Sequence, residues 1–144
     1  MSEDTIGKIK CPNVRGATRW LSELCSALEE QGFECHGDRL RSIATPMKDI
    51  KTIQPEYYEK PITIKQWLCI SNKALLGLGK DESVMDVKVY FRDTPPYIGG
   101  YIIGGIDQLS QKAKEQLKQE VKSFIGERMK NRKLPKEAQC QILI

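Results

Sequence analysis

The apolar positions of the chain fall into a few readable runs. Over 17–31, Ala17, Trp20, Leu21, Leu24, Cys25 and Leu28 recur at offsets of 0, 3, 4, 7, 8 and 11. That spacing places all six on one face of an α-helix. Gly16 or Thr18 can cap its start. Gly32 stands where a helix ends in a left-handed residue, and Phe33 can fold back on the last turn. Ahead of this helix, 6–11 alternates weakly and predicts a first strand, which Pro12 stops.

After the helix, 33–45 reads as a hairpin turning at Gly37-Asp38, with Gly at a position that needs positive φ. The stretch 46–61 is polar and punctuated by proline, and it carries Tyr57 and Tyr58. It is the candidate for a mobile loop, since connections of this length are often functional. Thr63 can cap a second helix over 63–78, in which Ile64, Trp67, Leu68, Ala74, Leu75 and Leu78 share a face. The segment 84–92 alternates strictly: Val87, Val89 and Phe91 against Asp86, Lys88, Tyr90 and Arg92. This is the pattern of a strand with one wet side.

The segment 97–106 is apolar yet holds four glycines, and predicts a bent strand. A third helix starts at Asp107 or Ser110 and runs to about Lys130, with Leu109, Ala113, Leu117, Val121, Phe124, Ile125 and Met129 as its stripe. The end, 140–144, is an apolar strand candidate. Together these predict one α+β domain over 1–144, with a mixed or mainly antiparallel sheet and about three amphipathic helices packed on it. The first six elements would suit a ferredoxin-like split βαβ unit. At 144 residues the chain is the size of one ordinary domain.

Charge refines the picture. Lys and Arg number 23 and Asp and Glu 19, a net of +4. Over 107–136 the sum is nine cations minus four anions, +5, so the rest of the chain is slightly acidic. This makes Lys112, Lys114, Lys118, Lys122, Arg128, Lys130, Arg132 and Lys133 candidate contacts for a phosphate backbone. The bland alternative is a solvated helix face of interleaved Lys, Gln and Glu.

Recognisable catalytic chemistry is scarce. A single histidine, His36, limits any nucleophile–histidine pair, and no G-x-S-x-G occurs. The glycines at 99, 100, 104 and 105 meet neither GxGxxG nor the P-loop spacing, nor the GxxG of KH domains. Tyr97, Gly99, Gly100, Tyr101, Gly104 and Gly105 remain candidates to line a pocket, because a glycine segment before a helix start is generic anion-binding geometry.

Five cysteines are widely spaced with no CxxC. The opening Met-Ser-Glu-Asp-Thr is acidic and has no apolar stretch, so a cytoplasmic protein with buried free thiols is expected. Cys35 and His36, as neighbours on a strand, would point to opposite faces and make a poor start for zinc. The function expected from sequence is therefore an intracellular binding protein acting through a protein partner or self-association, without cofactor, metal or membrane. An RNA- or single-stranded-DNA-binding protein is the alternative. A small enzyme or nucleotide binder using 97–106 comes third.

Overall fold

The computed structural model describes residues 5–52, 62–72, 83–96, 102–104 and 106–144. The described residues build one antiparallel sheet with two α-helices on one of its faces. Strand β1 (Thr5–Cys11) leads into helix α1 (Val14–Glu30), which crosses to the far edge of the sheet. There β2 (His36–Gly37), β3 (Ser42–Thr52), β4 (Ile62–Asn72) and β5 (Ser83–Arg92) return step by step toward β1. A short β6 (Ile102–Gly104) precedes helix α2 (Gln111–Met129), and β7 (Gln141–Leu143) closes the chain. The spatial order is β2-β3-β4-β5-β1-β7, with β6 pairing the end of β5.

Helix α1 forms as its stripe predicts. Ala17, Trp20, Leu21, Leu24, Cys25 and Leu28 are all buried. Its cap is Asn13 rather than Gly16 or Thr18: the Asn13 side chain accepts the Gly16 N–H at 2.7 Å. At the other end Gly32 adopts φ 86°. The Phe33 and Gly32 amides donate to the carbonyls of Leu28 and Glu29 at 2.9 and 3.0 Å, a Schellman closure. Gly16 is required for another reason. A Cβ there would lie 1.7 Å from the Glu137 carbonyl oxygen, so only glycine lets the turn before β7 rest on α1.

Helix α2 is capped by Ser110, whose hydroxyl accepts the Ala113 N–H at 3.1 Å. Leu117, Val121 and Ile125 are its buried stripe. Together with α1 it seals one core made of Ile9, Cys11, Ile43, Leu68, Ile70, Met85, Val87 and Val89 from the sheet.

Three expectations are corrected. First, the described part of the helix expected over 63–78 is strand β4, so the described residues hold two helices, not about three, and no ferredoxin-like unit forms. The cause is that 66–70 is buried on both faces, as suits a strand flanked by β3 and β5. An unbroken apolar run satisfies both the helical and the strand period, and the tertiary setting decides between them. Second, the front of the connection expected over 46–61 is strand. Residues 46–52 continue β3 through a bulge between Pro46 and Lys48, and 53–61 lie outside the described residues. Proline is tolerated there because β3 meets β2 only at Ala44 and Ile43, leaving its later residues near an edge.

Third, the cysteines are not all free. Cys11 and Cys140 form a disulfide across 129 positions. Lys10 pairs with Gln141 in the β1–β7 ladder, so the next residues outward, Cys11 and Cys140, are brought to a Cα separation of 4.3 Å. Structural disulfides persist in oxidising compartments and are rare in the cytosol, so the bond pulls against the cytoplasmic location expected from sequence. Among the described residues no helix is long and apolar enough to cross a membrane.

Candidate functional site

The predicted basic cluster on α2 and its tail is divided by the fold. Arg128 is half-buried, with its guanidinium carbon 3.9 Å from the Phe124 ring centre and 4.9 Å from that of Phe33. Those two rings pack edge to face at 5.3 Å. Burial pulls the Arg128 guanidinium below its usual range, and its Nε has no hydrogen-bond partner. Arg132 reaches α1, meeting Glu30 at 2.7 Å and Glu23 at 3.7 Å. Arg132 thus fastens the tail of α2 to α1, and Arg128 packs between Phe124 and Phe33, just beyond the end of α1. Lys118 pairs with Glu115 at 3.5 Å. Lys112, Lys122, Lys130 and Lys133 are exposed.

Lys114 and Lys118 border a cleft of about 220 Å³ with Thr5, Ile6, Asp107 and Leu117. That is smaller than the ~300–1,000 Å³ usual for small-molecule sites. Of the glycine-segment candidates, Gly104 lies on β6 opposite Phe91, while Tyr97, Gly99, Gly100, Tyr101 and Gly105 fall outside the described residues.

The sheet face turned away from the helices carries a different set of groups. Directly paired residues of antiparallel strands share a face. Leu143, Lys8 and Asp86 therefore form one row across β7, β1 and β5, and Gln141, Lys10 and Val84 form the next. Leu143 is 46% exposed and Val84 36%, two of the three exposed large apolar residues among those described. Lys8 and Lys10 are exposed as well. With Lys88 on the same face, three cations meet one anion, Asp86, a local balance of +2. Further along this face Trp67 is only 1% exposed; its indole N–H donates to the Arg92 carbonyl at 3.2 Å, and its ring meets His36 at 5.5 Å. The half of the face formed by β1, β5 and β7 is the accessible part.

A third feature lies where α1 hands over to β2. Cys25 and Glu29 stand one helical turn apart, and the reversal at Gly32 brings Cys35 back over them. The Cys25 thiol donates to a Glu29 carboxylate oxygen at 3.4 Å, and the Cys35 thiol donates to the Cys25 carbonyl at 3.7 Å. The Glu29 carboxylate also pairs with Arg39. Arg39 is held in the left-handed region at φ 59° by a turn in which Asp38 accepts the amides of Leu40, Arg41 and Ser42. Those amides lower the Asp38 carboxyl pKa. Burial first, then the neighbouring Cys35 and Glu29, pushes the Cys25 thiol up to about 12. Burial also raises Cys35. Both are therefore protonated thiols at neutral pH, not activated nucleophiles.

Sequence reasoning paired Cys35 with His36 and missed Cys25 and Glu29. The signal was present: Cys and Glu four apart on a helix, with a cysteine shortly after the glycine that ends it. The exposed sheet face left no comparable signal, because its rows join residues from both ends of the chain.

No protein-family model matches this chain, and no curated protein matches it in sequence.

Proposed function

We propose that the protein is a binding module whose docking surface is the exposed sheet face of β1, β5 and β7, and that its partner is a protein segment bearing acidic and apolar side chains. The observation that carries this reading is the placement of Val84 and Leu143 in solvent within rows that also hold Lys8 and Lys10. Exposed apolar side chains rimmed by charge mark interaction surfaces. Apolar groups supply affinity, and the cations select an acidic partner and steer it. A second copy of the chain suits this face less well, since an isologous contact would set lysines against lysines.

The test is a photo-crosslinking residue placed at Leu143 and, separately, at Ser123 on the exposed side of α2, in extract of the native cell. A discrete acidic protein adduct from position 143 alone, lost when Lys8→Glu and Lys10→Glu are added, is the expected result. Identical adducts from both positions, or indifference to the charge reversal, would overturn the reading.

One observation favours a second reading, single-stranded nucleic acid bound along α2: Lys112, Lys122, Lys130 and Lys133 stay exposed. Binding of labelled single-stranded RNA that weakens with salt by a logarithmic slope of roughly −0.7 per phosphate contact, and is lost in Lys122→Glu/Lys130→Glu, would bear this reading out.

A further inference from the structure

We infer that Cys25, Glu29 and Cys35 form a binding site for a thiophilic divalent cation, Zn²⁺ by the chemistry of the donors. This inference is independent of the docking face. One ligand atom from each residue lies within 4.8 Å of the other two. A tetrahedral zinc ion with bonds of about 2.3 Å to sulfur and about 2.0–2.2 Å to carboxylate oxygen needs ligand atoms roughly 3.5–3.8 Å apart. The Cys25–Glu29 contact, at 3.4 Å, is just short of that spacing. Two thiolates with one carboxylate suit zinc, whereas magnesium and calcium require oxygen donors throughout.

The surroundings match the charge that such a site would hold. Two thiolates and one carboxylate carry −3, the ion +2, and Arg39 on the Glu29 carboxylate +1, giving a neutral assembly. Arg39 would orient the carboxylate from outside the coordination sphere, as partners of metal ligands commonly do. Among the described residues the cluster has three members, which leaves the fourth corner to water. Binding exchanges the two thiol protons for the metal: two S–H bonds break, two metal–sulfur bonds form, and the protons pass to solvent. No oxidant or reductant is needed. The site would pin the end of α1 to the hairpin of β2 and β3, since its ligands come from α1 and from the strand-bound segment after Gly32.

The experiment is titration of the full chain, purified under nitrogen, with Co²⁺ as a spectroscopic stand-in, followed by displacement with Zn²⁺. One Co²⁺ per chain with a thiolate-to-cobalt charge-transfer band, bleached by stoichiometric Zn²⁺, is expected. Cys35→Ser should abolish the band. Cys35 is only half-buried, so this variant tests the site without opening the core as Cys25→Ala would. Arg39→Gln, which removes the outer partner of the Glu29 carboxylate, should keep the band and weaken Zn²⁺ binding by about 10–100-fold. Cys69→Ser, on the opposite face of the sheet, should change nothing. No charge-transfer band at one equivalent of Co²⁺, or a band that survives in folded Cys35→Ser, would overturn the inference.

Discussion

On the helix side of the sheet, Ile9, Met85, Val87, Val89, Leu68 and Ile70 are sealed beneath α1 and α2. On the other side, Val84 and Leu143 stand in solvent among Lys8, Lys10 and Asp86. The same strands supply both faces, because side chains alternate along each of them. The contrast teaches where stability and recognition are divided. One face is dry and tolerates no change of volume. The β1, β5 and β7 half of the other is accessible and chemically mixed, so its residues can be replaced without loss of the fold.

The sharpest way to break this contrast is to empty the sealed side. Leu24→Ala removes a fully buried side chain facing the sheet and should lower unfolding stability by about 2–5 kcal/mol, read from urea denaturation. Removal of the disulfide comes next. Cys11→Ser/Cys140→Ser should cost about 2–4 kcal/mol, because the bond closes a loop of more than a hundred residues in the unfolded chain. This change also joins the two faces: it loosens β7, and with it the row that holds Leu143. Amide exchange along β7 should accelerate more than exchange in β4.

A smaller effect is confined to alkaline solution. In the protein kept free of divalent metal, the Cys25 thiol has an unfolded value near 9 and a folded value of about 12. Between these the native state keeps a proton that the unfolded chain releases. Its contribution is therefore complete below pH 9 and is lost as pH rises toward 12. Relative to wild type, Cys25→Ala should show a flatter fall in denaturation midpoint across that window. The smallest effect belongs to the exposed face: Val84→Lys/Leu143→Lys should stay within about 0.5 kcal/mol of wild-type stability.

How much of this was legible in the sequence differs from element to element. Helix α1 was legible because Trp20, Leu21, Leu24 and Leu28 repeat with the helical period and Gly32 ends them. β5 was legible because Val87, Val89 and Phe91 alternate with polar residues. β4 was not, since Trp67, Leu68, Cys69 and Ile70 are buried without interruption and carry no period of their own. The Cys11–Cys140 bond was hidden for a related reason: it follows from the β1–β7 register, a tertiary property that no local spacing encodes. The docking face shares that origin. Leu143 and Lys8 become neighbours only once the two ends of the chain pair. The basic run on α2 was plainly visible, but the packing of Arg128 against Phe33 and the pairing of Arg132 with Glu30 of α1 depend on how the helices pack.

Two charged double variants, compared for binding to the crosslinked partner once purified, separate the sheet face from α2. Both variants are first verified as folded by circular dichroism. Val84→Lys/Leu143→Lys should weaken binding at least tenfold, a loss of about 1.4 kcal/mol, while Lys122→Glu/Lys130→Glu on α2 should leave it unchanged. Binding that survives the first pair and is lost in the second would contradict docking on the sheet face.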